Sequence, residues 1–142
     1  MTEFNLHNRA EHVFSEAFRV EQFKRTADLD SSPNATTKLG ILMDGSHWSC
    51  SKKYSCSSEE LDELTEVARK AGAYGSRLTG AGWGGCCVSL IDAANRDTFI
   101  EKVTKNFYAG RPDREMRLPE AVFATKPSSG AAIYSNDHKV LW

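Results

Sequence analysis

The sequence contains no long apolar run and no strong excess of charge. No stretch approaches the roughly 18 consecutive apolar residues of a membrane-spanning helix. The formal net charge is −1, so the chain has neither the basic footprint of a nucleic-acid-binding protein nor a polybasic membrane patch. Residues 1–7 lack both the basic and the apolar part of a signal peptide. We therefore expect a soluble, cytoplasmic protein with neither nucleic acid nor a membrane as partner.

The spacing of the four cysteines argues against disulfides and a metal site. The cysteines are Cys50, Cys56, Cys86 and Cys87. A disulfide between the neighbours Cys86 and Cys87 would be strained, and reduced thiols are usual in an intracellular protein. No Cys-x-x-Cys pair is present, and His47 with Cys50 and Cys56 gives fewer zinc ligands than a structural site needs. The sequence therefore predicts no metal site.

What is present is the length and composition of one globular domain, with 40% hydrophobic and 26% charged residues. Apolar residues at three-to-four spacing predict helices over residues 9–28, from Thr36 onward, and over residues 96–108. Hydroxyl and carboxyl residues at 57–60 predict a helix start, and Gly72 predicts its end. In the first helix the spaced apolar residues are Val13, Phe14, Ala17, Phe18, Val20 and Phe23.

Short β-prone runs predict strands at residues 74–79, 86–91, 121–125 and 131–134. Helices between non-adjacent strands predict an α+β fold, with helices packed on a mainly antiparallel sheet in two layers. Residues 135–142 carry little pattern, and we predict a disordered tail there.

A glycine-rich loop separates the first two predicted strands. Residues 80–85 read Gly-Ala-Gly-Trp-Gly-Gly. Glycine adopts positive φ freely and lets backbone amides approach a ligand with no Cβ in the way. Successive amides in such a turn bind anions, and phosphate is the obvious ligand. The loop is not a P-loop, since no Lys-Ser/Thr follows it, and not a dinucleotide fingerprint, since a β-prone run follows instead of a helix. A tight hairpin turn without a ligand explains the same glycines.

Residues 78–86 resemble the third signature motif of the galactokinases, which belong to the GHMP kinase superfamily. The resemblance covers about residues 8–134, and Ser49-Cys50 and Trp83 are most similar to the N-acetylgalactosamine kinase branch or to fungal galactokinases. One departure is Asp44-Gly45, which adds a carboxylate and a flexible residue before Ser-His. Further segments that resemble the family, in its order, are 10–17, 19–20, 42–43, 46–47, 49–50, 54, 56–57, 60–64, 72–77 and 123–127.

The resemblance implies a GHMP kinase C-terminal domain over residues 1–134, with that family's ferredoxin-like arrangement. Full-length members transfer the γ-phosphoryl group of ATP, with Mg²⁺, to the anomeric hydroxyl of galactose or N-acetylgalactosamine. Their active site lies between two domains, and the N-terminal domain carries the catalytic pair and the principal phosphate loop. Those motifs are absent here. We therefore expect no catalytic residue in this chain, and we expect sugar, ATP and a missing N-terminal kinase domain as its partners.

The resemblance also makes the glycine-rich loop the candidate ATP and phosphate site. The loop residues are Thr79, Gly80, Ala81, Gly82, Trp83, Gly84 and Gly85, and the supporting residues are Ser76, Arg77, Ser46 and His47. Each also has a structural alternative. His47 is then a core histidine bonded to backbone, Arg77 belongs to an ion pair, and Thr79 is an ordinary strand residue. Trp83 either wedges against helices or stacks on a base.

Three functional hypotheses stay open. The chain is a catalytically incomplete part of a sugar kinase, or part of a non-enzymatic relative that senses sugar and ATP and contacts a transcriptional repressor, or a free-standing interaction module. The residues that separate the first two would lie in the N-terminal domain. The first hypothesis is the one we carry forward.

Overall fold

The computed structural model describes residues 4–126, 132–134 and 139–141. Helix α1 spans Leu6–Leu29, and a short loop leads to α2 at Ala35–Ser49. Helix α2 continues without a break into a π-helical turn at Cys50–Tyr54. Helix α3 follows at Glu59–Ala71. None of the helices in this part of the chain is both long and apolar enough to cross a membrane.

Helix α3 begins and ends where its local signals predict. The Ser58 side chain accepts a hydrogen bond from the Leu61 amide at 3.2 Å, which is an N-cap. Glu59 and Glu60 lie in the first turn, where carboxylates stabilise the helix dipole. Gly72 adopts φ +115° and ends the helix in a left-handed turn.

An antiparallel hairpin follows α3. Strand β1 is Gly75–Thr79 and strand β2 is Cys86–Leu90, with Thr79 opposite Cys86 at the loop end. Both predicted strands are therefore confirmed. The start of β1 lies directly against α2, because a Cβ on Gly40 would be 2.0 Å from the Tyr74 carbonyl oxygen. Gly40 is thus required for backbone-to-backbone packing.

Short elements follow the hairpin. A 3₁₀ turn at Ala93–Asn95 leads to helix α4 at Arg96–Val103, which ends in a π-helical turn at Thr104–Tyr108. Helices α5 at Pro112–Glu115 and α6 at Leu118–Ala121 follow. Strands β3 at Ala132–Tyr134 and β4 at Lys139–Leu141 pair antiparallel in a second sheet.

Two apolar clusters lie at opposite ends of α3. Near its start, Leu61 packs with Leu78 and two buried cysteines, and near its end Ala71 packs with residues of α4 and its π-helical turn. The members of the first cluster are Cys50, Cys56, Leu61 and Leu78, with Cys87 against them. The members of the second are Ala71, Val103, Phe107 and Tyr108.

Helix α1 has its apolar side outward, contrary to the usual meaning of its spacing. No residue of α1 is buried, and the side chains of Phe14 and Phe18 are 76% and 64% exposed. The partly buried side that faces α2 is polar and carries His12, Glu16 and Arg19. The periodicity therefore predicts the helix correctly. It does not predict burial, because Phe14 and Phe18 on the apolar side of α1 remain exposed in this chain.

The described elements agree with the predicted α+β class, with helices and two small two-stranded antiparallel sheets. The predicted strand at 121–125 is wrong. Ala121 is the last residue of the short helix α6, and residues 122–126 have no regular structure and no strand partner among the described residues. Of the predicted strand at 131–134, Ala132–Tyr134 is a strand and residue 131 lies outside the described residues. In the predicted tail, Lys139–Leu141 form β4, and 135–138 and 142 lie outside the described residues.

Candidate functional site

The glycine-rich loop at 80–85 has an unusual backbone. Positive φ angles occur at most of its positions, which favours glycine at each. The angles are +83° at Gly80, +85° at Gly82, +52° at Trp83, +131° at Gly84 and +83° at Gly85. Within the described residues, Trp83 is the loop residue whose amide forms a hydrogen bond, and its acceptor is the Cys56 carbonyl. The other loop amides have no hydrogen-bond partner among the described residues, a pattern that fits an anion-binding nest.

Glycine is needed at Gly82 for a second reason. A Cβ at this position would lie 2.0 Å from the Cys56 carbonyl oxygen. By contrast, a Cβ on Gly80, Gly84 or Gly85 would meet no atom within 4 Å. The loop thus has one packed position, and its other glycines border open space. Thr79, at the end of β1, is exposed beside them.

His47 lies in the core below the loop rather than at its surface. Its Nδ1 accepts a hydrogen bond from the Leu78 amide at 3.2 Å, two residues before the loop. Its Nε2 lies 3.0 Å from the Thr65 hydroxyl and 3.1 Å from Asp62. Because Thr65 donates its own proton to the Asp62 carbonyl at 3.0 Å, it accepts from Nε2–H. The ring is therefore neutral, with its proton on Nε2.

The surroundings of His47 keep it neutral. Burial is the largest cause that lowers its pKa, and the Arg69 charge lowers the pKa further, while the carboxylates of Asp62 and Asp44 act in the opposite direction. The structure places His47 as a link between α2, α3 and β1, which is the backbone-bonded core alternative weighed from the sequence. It does not bring the ring to the open side of the loop.

Ser46 and Arg77 meet at a carboxylate that the sequence analysis did not single out. Glu16 of α1 accepts hydrogen bonds from the Ser46 hydroxyl and the Arg19 guanidinium, and Arg77 Nη1 lies 3.3 Å from its Oε1. This ion pair is the structural alternative for Arg77. The residues that line the adjoining cavity of about 480 Å³ include Val20, Phe23, Leu42, Met43, Val88 and Leu90. Glu16 shares one helix side with His12 and Arg19, and that polar stripe was the available signal.

Ser76 is buried in β1 and connects it to both neighbours. Its amide donates to Asp44 Oδ1 at 2.8 Å, and its hydroxyl lies 2.8 Å from that of Ser89 in β2. Asp44 also lies 3.4 Å from Arg69 Nη1 on α3. The unusual Asp44-Gly45 therefore leaves α2 continuous and supplies the carboxylate that fastens β1 to it. No local sequence pattern marks this role.

Burial makes the Cys50 and Cys87 thiols less acidic. Burial, together with the neighbouring Cys56 thiol, raises the pKa of Cys50 to about 11. Burial also raises the pKa of Cys87. All four cysteines are free, and the described residues contain no cluster of three or more potential metal ligands.

The loop, the hairpin and the helices beneath it lie in a region that matches a known family. The family model described as "GHMP kinases C terminal" matches residues 23–109, more than half of the chain. This chain belongs to the GHMP kinase C-terminal family. The matched residues of this GHMP kinase domain include α2, α3, both strands of the hairpin and the whole glycine-rich loop.

Several proteins that are similar to this GHMP kinase domain are galactokinases. A galactokinase of Dictyostelium discoideum is 38% identical over 94% of this chain and 30% of its own length. A galactokinase of Saccharomyces cerevisiae is 36% identical over 91% of this chain and 26% of its own length. The solved Lactococcus lactis galactokinase complexed with galactose has a TM-score of 0.65 and 33% identity, covering 75% of this chain and 27% of that one. The chain therefore spans about 30% of the length of the curated relatives it matches.

Proposed function

We propose that this chain is the C-terminal part of an ATP-dependent sugar kinase that phosphorylates the anomeric hydroxyl of galactose or N-acetylgalactosamine. The observation that carries the proposal is the likeness to galactokinases over nearly the whole chain, including the loop. In this proposal the protein works in the cytoplasm. Residues 1–134 would form one domain, whose complete sheet would be mainly antiparallel, two-layered with the helices and ferredoxin-like.

The loop would contribute backbone amides to the phosphates of ATP. Its free amides and the open space beside Gly80, Gly84 and Gly85 fit a phosphate group, because a ligand reaches the backbone there without meeting a side chain. Residues 79–85 would make this contact, and Ser76, Arg77, Ser46 and His47 would hold the loop's strand from behind. ATP would supply the phosphoryl group and would bring Mg²⁺ with it, since the loop itself has no carboxylate.

Positioning and electrostatic stabilisation provide most of the catalysis in phosphoryl transfer. This chain offers backbone donors from one loop and, in our proposal, no catalytic residue. The N-terminal kinase domain would supply the rest, and the outward apolar side of α1 suits contact with another part of the enzyme. Phe14 and Phe18 on that side are 76% and 64% exposed. Exposed apolar surface of this kind marks sites of contact with another protein or domain.

The proposal is tested by titrating the chain with Mg·ATP by calorimetry, with and without galactose, and by assaying sugar 1-phosphate. The chain alone is expected to bind ATP at most in the millimolar range and to give no product. Mixed with the portion of the Dictyostelium galactokinase that precedes the matched region, it is expected to form product. Turnover by the chain alone, or a mixture that associates without activity, would contradict the proposal.

Gly82→Val sharpens this test. The new side chain would collide with the Cys56 carbonyl and would also need a left-handed backbone, so activity in the mixture should be abolished. Gly110→Val is the control, because Gly110 is another glycine with positive φ (+76°) and a Cβ there would meet no atom within 4 Å. A near-normal kcat for Gly82→Val would contradict a role for the loop.

A further inference from the structure

One loop residue does not suit its own backbone conformation. Trp83 has φ +52° and Ser55 has φ +59°, and these are the two non-glycine residues with positive φ in the described part of the chain. A bulky residue seldom adopts this region, and it persists only where its surroundings hold it there. Such residues concentrate at functional sites.

Hydrogen bonds join the segment that contains Trp83 to the segment that contains Ser55. The Trp83 indole Nε1–H donates to the Ser55 carbonyl at 3.0 Å. The Trp83 backbone amide donates to the Cys56 carbonyl at 2.7 Å. Residues far apart in the sequence thus hold one another in the same uncommon conformation, through one side-chain and one backbone hydrogen bond.

Burial does not account for a tryptophan at this position. The Trp83 side chain is 64% exposed, so it adds little to either apolar cluster. What distinguishes tryptophan from other aromatic residues here is its indole N–H, which has its acceptor at Ser55.

The segment on the other side of these bonds is itself well held. The Ser55 amide closes the π-helical turn by donating to the Cys50 carbonyl, and the Cys56 amide donates to the same carbonyl at 3.0 Å. The Ser55 hydroxyl also accepts from Arg9 Nη1 of α1 at 3.1 Å. Residues 55 and 56 therefore form a fixed platform, which we call the 55–56 platform.

We propose that Trp83 is a positioning residue that clamps the glycine-rich loop to the 55–56 platform and so holds the loop's free amides in one arrangement. Glycine-rich segments lose much conformational freedom on ordering, and donors bind an anion best when they are already in place. Two hydrogen bonds in the middle of the loop supply the order that its glycines lack. The clamp follows from the two hydrogen bonds alone. Its effect on phosphate binding rests on the proposed function.

The unmodified chain provides the first test, by NMR hydrogen exchange of its indole N–H groups. Trp48 is a matched control, because it is 55% exposed and its indole N–H has no hydrogen bond within the described residues. The Trp83 indole is expected to exchange at least about tenfold more slowly than that of Trp48, as loss of one hydrogen bond implies. Equal exchange rates would overturn the proposal.

The second test uses Trp83→Phe, which keeps an aromatic ring and removes the donor. The backbone amide at position 83 is expected to exchange about tenfold faster, while the amides of α3 stay unchanged. Trp48→Phe should change neither. No change at position 83 would overturn the clamp, and a uniform loss across the loop and α3 would reveal a general structural role instead.

Titration with inorganic pyrophosphate separates the clamp from the proposed function. Trp83→Phe is expected to weaken pyrophosphate binding about tenfold while Trp48→Phe leaves it unchanged. Equal binding by both variants would overturn the positioning role. If the unmodified chain shows the slow indole but no pyrophosphate binding, the phosphate site is contradicted and the clamp is supported.

Discussion

His47 joins three elements through one imidazole ring. Because its Nδ1 accepts the Leu78 amide and its Nε2–H faces Thr65, the neutral ring satisfies two buried polar groups at once. Replacing His47 with alanine is expected to lower the free energy of unfolding by about 2–4 kcal/mol, since both groups lose their partner. Urea denaturation measures this change. His7→Ala, at a side chain 88% exposed, should stay within about 0.5 kcal/mol, and equal losses in the two variants would contradict the assignment.

The same ring makes stability depend on pH in a defined direction. The pKa of His47 is lowered from its ordinary 6.5 in the folded chain, chiefly by burial, so the unfolded chain takes up the proton first as pH falls. The free energy of unfolding should therefore lose nothing through this group above about pH 6.5, and should fall as the pH drops from there towards the folded pKa. Urea titrations between about pH 7.5 and about pH 5.5 measure the slope. The slope should shrink in His47→Ala, and an identical slope would count against this group.

At the scale of the element, two glycines of α2 have opposite roles. A Cβ on Gly40 would lie 2.0 Å from the Tyr74 carbonyl oxygen, whereas a Cβ on Gly45 would meet only Arg19 Nε at 3.4 Å. Gly40→Ala is therefore expected to destabilise the chain by about 1–3 kcal/mol, despite the better helix propensity of alanine. Gly45→Ala should stabilise it by up to about 1 kcal/mol. Thermal unfolding of both variants checks the sign, and stabilisation by both would mean that α2 and β1 are not in backbone contact.

Element boundaries that depend on local chemistry were predictable. Ser58, the acidic residues after it and Gly72 define both ends of α3 because each acts on neighbouring backbone groups. The absence of a strand at 121–125 was not predictable, because β-prone residues form a strand only when a partner strand is available. The supporting roles of Glu16 and Asp44 depend on contacts with residues far away in the sequence, which no local pattern reports. The loop's open amides were predictable from its glycines, whereas the left-handed Trp83 was not.

At the scale of the whole molecule, helix α1 presents large apolar side chains to the surface. Phe14 and Phe18 project from it, and an exposed patch of this kind promotes association. The chain alone is expected to self-associate with rising concentration, as sedimentation velocity would show. Phe14→Glu is expected to reduce association while changing the free energy of unfolding by less than about 0.5 kcal/mol.

Phe123 provides the matched control for this prediction, because it is 78% exposed at a site remote in sequence from α1. Phe123→Glu should leave the sedimentation behaviour unchanged. If both variants reduce association equally, the effect is one of added charge and not of the apolar side of α1. Unfolding of the chain by Phe14→Glu would mean that the Phe14 side chain contributes more to stability than its exposure implies.

The close approach of Gly82 to the Cys56 carbonyl also limits which amino acids this position can accept during evolution. Every other amino acid that the genetic code specifies carries a Cβ, and that atom would lie 2.0 Å from a backbone oxygen. No codon change that replaces Gly82 is therefore tolerated without moving the 55–56 platform. Gly80 and Gly85 border open space and have φ +83°, so asparagine and aspartate, which accept left-handed backbone most readily, are the first replacements expected to survive there. Gly84 also borders open space, but its φ of +131° lies further from the left-handed region of these residues. A saturation library is expected to show Gly82 as closed and Gly80 and Gly85 as partly open.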